Sequence, residues 1–289
     1  MGAGGFLGAH VVSRLRAGGH ECETSGLDRP RVEVSDQDAI EHWFSDGGVD
    51  VLVQAAWYAG DDRINSAQNE KWVHHTRRLL DAFVRAGGRK VITMGSCFEY
   101  ELGSGALIED VTPIRPHNPY GRAKAAVEAM VAQMTAENSL QGVHARVGYV
   151  YGPGERPPRV VPALVDALAQ GHRFASTSGR QRRDYLYAGD VGRAIALLVD
   201  TDFAGPINVA SGRAIAVADL LTAVAAEVGP VDLLDLGALP QRAGDPEVVE
   251  LSIQRITDLG WQPEIDLAEG VRLTVRSMLD DSSRKAPLQ

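Results

Sequence analysis

Two kinds of apolar spacing alternate along the chain. Val51–Ala56 and Lys90–Ser96 are short apolar runs that end in small residues, the pattern of parallel strands buried on both faces. Between them, Trp72, Leu79, Leu80 and Phe83 recur with helical spacing from about Asn69 to Arg85, and Ala9–Leu15 has the same period near the start. Glu21–Ser25 alternates and predicts a short strand, Val32–Val34 a strand edge, and Ser35–Asp38 the capped opening of a helix. Strands alternating with helices through residue 150 predict an α/β fold: a doubly wound, right-handed Rossmann sheet with its site at the carboxyl ends of the strands.

Beyond residue 153 the rhythm changes. Val160, Val161, Leu164 and Leu168 predict a helix, the chain is expected to rejoin the sheet from Tyr185 to Val209, and Val217–Val228 is a second alanine-rich helix. A last helix follows Asp266 with Leu267, Val271 and Val275 on one face, and a frayed polar tail is expected from Asp280. The reading is therefore a dinucleotide-binding domain of residues 1–153 and 180–212, interleaved with a smaller substrate lobe of residues 154–179 and 213–289.

The helix at Ala9 is entered through Gly2-Ala3-Gly4-Gly5-Phe6-Leu7-Gly8. Glycines three apart permit a tight turn, close approach of backbone to a pyrophosphate, and close packing of helix on sheet. Only Met1 precedes Gly2, so the strand that aims such a loop is missing from this sequence; Met1 is expected to stand at its end, or the loop to be disordered. About 20 residues on, a carboxylate would hold a ribose 2′-hydroxyl and an arginine a 2′-phosphate. Asp28 is followed by Arg29, with Arg31 close by, so NAD(H) and NADP(H) both stay open, NADP(H) being slightly preferred.

Composition narrows the partners. With 289 residues, 44% hydrophobic and 23% charged, the chain has enough apolar material for a large core. A formal charge of −9 opposes nonspecific nucleic-acid binding, no run is long and apolar enough for a membrane span, and Cys22 and Cys97 make no disulfide framework. A cytoplasmic setting is expected. Trp72, His74 and His75 lack partners at metal-ligand spacing, so no metal is expected.

In Pro116-His117-Asn118-Pro119-Tyr120-Gly121-Arg122-Ala123-Lys124 a helix opening at the prolines carries Tyr120 and Lys124 one turn apart. An ammonium beside a phenol stabilises phenolate and makes tyrosine a competent acid/base. Ser96, ending its strand, is placed to hydrogen-bond the same reacting oxygen.

The loop, Ser96 and Tyr120–Lys124 together resemble the extended short-chain dehydrogenase/reductases of the NAD-dependent epimerase/dehydratase family, which act on nucleotide sugars. Arg146–Pro153, Arg183–Tyr187 with Asp190-Val191, Ile207–Gly212, Arg242–Pro246 and Leu259–Pro263 extend the resemblance over nearly the whole chain. It implies Tyr120 as acid/base, Lys124 on the nicotinamide ribose, and Ser96 on the reacting oxygen. Gly2, Gly5, Phe6, Leu7, Gly8, Asp28, Arg29, Glu33, Val34, Ala55, Ala56 and Lys124 would hold the cofactor, with Glu33 at the adenine. A nucleotide-diphosphate sugar would meet Cys97, Phe98, Tyr149, Arg183 and Arg242, the two arginines clamping the diphosphate.

Departures from the family pattern select among its reactions. Cys97 and Phe98 replace the Asp-Glu pair of the 4,6-dehydratases, and Tyr149 replaces an asparagine, as in 4-keto-6-deoxysugar reductases; Trp72 also replaces an asparagine. The implied activity is NAD(P)H-dependent reduction of a keto group, at C4, of a nucleotide-linked deoxysugar. The alternatives are a 4-epimerase with tightly held NAD and a noncatalytic dinucleotide sensor. Relatives dimerise through the tyrosine helix, where Val127, Met130 and Val131 supply apolar surface for a homodimer; burial within the monomer is the other reading.

Overall fold

A computed structural model describes residues 1–29, 31–45, 48–103 and 105–285. In chain order its elements are α1 (Phe6–Ala17), α2 (Gln37–Ser45), β1 (Val51–Gln54), α3 (Gln68–Arg85), β2 (Lys90–Ser96), α4 (Pro119–Glu137), β3 (Gln141–Val147) and β4 (Tyr149–Tyr151). There follow α5 (Val160–Ala169), β5 (Phe174–Ser176), β6 (Arg182–Tyr187), α6 (Ala188–Asp200), β7 (Gly205–Val209) and β8 (Ala214–Ala216). The chain closes with α7 (Val217–Val228), β9 (Leu234–Leu236), β10 (Val248–Val249), α8 (Gln254–Asp258) and α9 (Leu267–Lys285).

The main sheet runs β1-β2-β3-β7, all parallel. All seven residues of β2 are buried, so its alternating side chains feed a core on each face. Ile92 and Met94 join Val11 and Leu15 of α1, Val191–Leu198 of α6 and Ile207 of β7. Val91 faces the other way, among Ile40, Trp43 and Phe44 of α2, Leu79, Leu80 and Phe83 of α3, and Val127 and Val131 of α4. Removing Phe83 or Leu79, each 0% exposed, from water contributes on the order of 2 kcal/mol apiece. The sheet is doubly wound, as its pattern implies, and the register Ser96↔Val147↔Val209 puts Ser96 at the carboxyl edge.

Several expectations are corrected. Glu21–Thr24 and Val32–Val34 form no strand, and Ser25 makes only an isolated bridge to Arg29. The free edge of β1 is met by Met1, whose amino group donates to the Val53 carbonyl (2.8 Å) and whose carbonyl accepts from Ala55 N (3.0 Å). A single residue of ladder leaves the segment beyond it without a strand to pair with. The loop that follows Met1 is ordered. The predicted return to the main sheet is split: β6 pairs with β4, β8 and β10 in a second sheet, and only β7 rejoins the first. Val127 and Val131 are buried against α3 within the chain, so they are not free surface for a second copy. The final helix runs on through Lys285, and the rest of the tail expected to fray lies outside the described residues.

A further core joins Tyr151 to Val161, Leu164 and Leu168 of α5, Leu220, Leu221 and Val224 of α7, and Val271 and Val275 of α9. Asn208 on β7 links the sheets: its amide accepts from the Tyr100 hydroxyl (2.7 Å) and donates to the Leu107 and Ser252 carbonyls (both 3.0 Å), while its N–H donates to Glu109 (2.7 Å). No described helix is long and apolar enough to cross a membrane.

Candidate active site

The glycine loop is built for an anion. Gly2 has φ +85°, and a Cβ there would lie 2.5 Å from Ala56 N; a Cβ on Gly8 would lie 2.0 Å from the Gly2 carbonyl oxygen. Only glycine therefore lets α1 and the end of β1 approach this closely. Gly5 is the N-cap without a capping side chain, and no acid stands in the first turn, so the first N–H groups of α1 are left for a ligand in the positive end of the helix dipole. Gly2, Gly5, Phe6, Leu7, Gly8, Ala55 and Ala56 are thus brought together at the carboxyl end of β1.

Asp28 accepts from the Thr24 hydroxyl (2.6 Å) and pairs with Arg16; the Thr24 hydrogen bond, then Arg16, hold its carboxyl below the usual range. Arg29 pairs with Glu23 (2.6 Å) and lies 4.7 Å over the Trp43 ring. Glu33 is exposed and paired with Arg31 (2.8 Å), with Val34 half-buried beside it.

Helix α4 opens where the Asn118 side chain accepts from Gly121 N (2.8 Å) ahead of Pro119. Tyr120 N donates to the Ile64 carbonyl (3.1 Å), which pins the loop between β1 and α3 onto this helix. Ser96 sits opposite, its side chain accepting from Phe98 N (3.3 Å) and acting with the opposite sign to burial on the Tyr120 phenol. Burial pushes that phenol up to about 12, against the pull of Arg159. One turn along, Lys124 is buried with Nζ donating to the Met94 carbonyl (2.8 Å), and burial drags it down to about 7, against Glu99. Nζ also lies 3.7 Å from the centroid of the Trp57 ring. The structure therefore gathers Ser96, Tyr120 and Lys124 into one desolvated cluster.

From Tyr120 an aromatic row leads outward. Phe98 packs edge-on against Tyr120 (6.3 Å) and at a tilt against Tyr149 (5.9 Å), and the Arg183 guanidinium lies 5.6 Å over the Tyr149 ring. Arg183 is itself buried, pairing with Asp245 (2.5 Å) and donating to the Pro246 carbonyl (2.8 Å). Arg242 is exposed on the same turn, its carbonyl accepting from Asp245 N (3.3 Å). Cys97 is buried under this row, its thiol pushed by burial up to about 12, which leaves it a poor nucleophile.

Residues 1–210 match the NAD dependent epimerase/dehydratase family. The chain belongs to that family. It is 28% identical to a UDP-glucose 4-epimerase of Mycolicibacterium smegmatis over 95% of this chain and 96% of that protein. It is also 28% identical to a dTDP-glucose 4,6-dehydratase of Streptomyces griseus, over 89% of this chain and 75% of that protein. Among solved structures, the Thermus thermophilus UDP-glucose 4-epimerase in complex with NAD superposes with a TM-score of 0.82 at 27% identity, covering 99% of this chain and 98% of that one.

In this family member Glu99, Glu128 and His144, which lie with Arg146 behind Ser96, went unnoticed in the sequence. Glu99 Oε1 accepts from Ser96 N (2.5 Å) and both its oxygens lie 3.1 Å from His144 Nε2. Arg146 reaches Glu99 (3.4 Å) and binds both oxygens of Glu128 at 2.5 Å. Burial pushes Glu99 up, yet His144 and Arg146 hold its carboxyl below the usual range. Glu99, Glu128 and His144 have metal-ligand atoms within 4.8 Å of one another, but the Arg146 guanidinium already pairs with both carboxylates. The available signal was His144 and Arg146 in an otherwise apolar strand, since charges buried in a parallel strand demand partners.

Also missed were Arg63 and Glu155, which lie with Arg159 near Tyr120. Burial pushes the Glu155 carboxyl up to about 7, against Arg159 (3.8 Å) and Arg63. A separate groove of about 570 Å³, lined by Arg14, His20, Arg193, Asp200, Trp261 and Glu264 among others, shares no residue with this cluster.

Proposed function

We propose that this family member transfers hydride at C4 of a nucleotide-diphosphate sugar, with Tyr120 as acid/base. The observation that carries this is the cluster of buried Ser96 and Lys124 with half-buried Tyr120 at the carboxyl edge of the sheet. As a hydride leaves C4, phenolate at Tyr120 takes the O4 proton, Ser96 holds the oxygen, and the Lys124 ammonium steadies the phenolate; the reverse returns the proton. The uncapped first turn of α1 and the glycine-only spaces at Gly2 and Gly8 fit a pyrophosphate, so these residues fit a dinucleotide. A bound nicotinamide dinucleotide supplies the hydride carrier. We favour NAD(H) over the NADP(H) preferred from sequence, because Arg29 is tied to Glu23 and stacked on Trp43, and the Thermus relative is a complex with NAD. Asp28 and Glu33 would face the adenosine, and Phe98, Tyr149, Arg183 and Arg242 the sugar nucleotide.

The net reaction we favour is 4-epimerisation. Near end-to-end similarity to UDP-glucose 4-epimerases supports it. Dehydration lacks its acid pair, with Phe98 apolar and Cys97 buried and protonated. Net ketoreduction is the second reading, carried by Tyr149 at the position of the family asparagine and by its packing on Phe98. The test incubates the enzyme and NAD with UDP-glucose and other nucleotide sugars, and with keto-sugar nucleotides plus NADH or NADPH. Epimer formation without net cofactor change supports the first reading, and stoichiometric oxidation of reduced nicotinamide supports the second. Turnover that survives undiminished in Tyr120→Phe refutes both assignments of the acid/base.

A further inference from the structure

Lys124 is a buried ammonium that pairs with no carboxylate among the described residues. Among the described residues its one hydrogen bond goes to the Met94 carbonyl (2.8 Å). Behind it lies Glu99, whose carboxylate is taken up by Ser96 N, His144 and Arg146. On its own helix lies Tyr120, with the ring centroid 5.6 Å away. From the loop after β1 it meets the face of Trp57, whose centroid is 3.7 Å from Nζ.

That indole is held in place. Trp57 Nε1 donates to Asn69 Oδ1 (2.8 Å), and Asn69, 1% exposed, donates in turn to the Arg63 (2.5 Å) and Ser66 (2.9 Å) carbonyls. The Trp72 ring packs 5.9 Å behind it and the Tyr120 ring edge-on at 6.4 Å. The tether uses the polar edge of the indole and leaves its electron-rich face to the ammonium.

We propose that Trp57 is a positioning residue that keeps Lys124 protonated: its π face is the counter-group of the buried ammonium, and Asn69 aims it. A cation over tryptophan gains most where water is excluded, and this face opposes the desolvation that pulls the lysine toward the neutral amine. Its functional meaning rests on the role proposed above for Lys124, because a neutral amine would not stabilise phenolate at Tyr120.

The chain has four lysines, Lys71, Lys90, Lys124 and Lys285, so ε-13C lysine labelling gives four titrating signals, with Lys124 assigned by its loss in Lys124→Met. In the ligand-free protein Trp57→Leu is expected to weaken proton binding at Lys124 about tenfold and leave the other three unmoved, with Trp57→Phe restoring most of the loss. Should the leucine variant not fold, fluorinated tryptophan in the wild-type chain weakens the ring face without changing its shape. Of the four tryptophans, Trp43 and Trp261 face arginines and Trp57 faces Lys124, so the Lys124 midpoint should fall stepwise with fluorination. An unmoved Lys124 midpoint in the leucine variant or on fluorination overturns the proposal, as does a phenylalanine variant that falls as far as leucine. The titration needs no substrate, so failure of the C4 hydride-transfer reading would show instead as absent turnover in a protein whose Lys124 behaves as described.

Discussion

Two glycines four residues apart in the same loop should respond oppositely to one added methyl group. A Cβ on Gly8 would lie 2.0 Å from the Gly2 oxygen, 2.8 Å from Gly2 C and 3.0 Å from Ala3 Cα. Ordinary contacts are about 3.5–4 Å, so backbone must separate by about 1 Å or more. Gly2 has nowhere to retreat: it is packed against the backbone of Ala55 and Ala56, and its carbonyl accepts from Gly5 N (3.0 Å). Helix α1 must therefore lift away, at about 1–3 kcal/mol of overpacking, and carry its free N–H groups out of line with a bound pyrophosphate. A displacement of that size is worth on the order of 10²-fold where geometry matters. On Gly4 a Cβ would meet nothing within 4 Å, and its stability effect should stay within about 0.5 kcal/mol. Urea unfolding of the ligand-free variants and calorimetric titration with NAD read the two effects separately. Gly8→Ala should lose stability and about 10²-fold in NAD affinity, and Gly4→Ala neither. Wild-type affinity and stability in Gly8→Ala, or equal losses in Gly4→Ala, would refute the reasoning.

Tyr120→Phe should lower turnover by about 10²–10⁴-fold while NAD still binds, checked by steady-state rates beside calorimetry. Glu155 binds its proton more tightly when folded, so relative to Glu155→Gln the wild type should lose up to about 3 kcal/mol of stability as pH rises from about 4.5 to 7 and little beyond. Urea midpoints at pH 5 and 7.5 measure it, and parallel pH profiles for the two proteins would contradict it. Arg146→Met leaves the buried Glu99 carboxylate and the half-buried Glu128 carboxylate without their guanidinium and should cost about 3–5 kcal/mol, read from the same unfolding curves.

Elements that carry their own pattern were legible before folding. Lys90–Ser96 and Val217–Val228 were bounded to the residue, because a fully buried strand and a periodic helix announce themselves in composition. Glu21–Ser25 failed because a strand requires a neighbour, and local alternation says nothing of whether one is present. The allocation of β6 to a second sheet is likewise a property of pairing between distant segments. Ser96, Tyr120 and Lys124 were singled out by spacing and resemblance, and the structure places them together. Trp57 and Glu99 were not, since nothing along the chain shows that an indole will cover Lys124 or that a carboxylate will cap Ser96.

The hub at Asn208 constrains how the molecule can breathe. Its side chain and N–H make four hydrogen bonds to Tyr100, Leu107, Ser252 and Glu109, all inside protein, so rocking the 250–253 segment away from the main sheet would strand several polar groups at once. That seam is stiff. Admission and release of ligand then fall to the perimeter: the stretch from Trp57 to Ser66, which the Asn69 amide and Tyr120 N hold down, and the turn carrying Arg242 and Asp245, which the Arg183 guanidinium retains. Compliance in this enzyme is a matter of two small latches rather than one hinge.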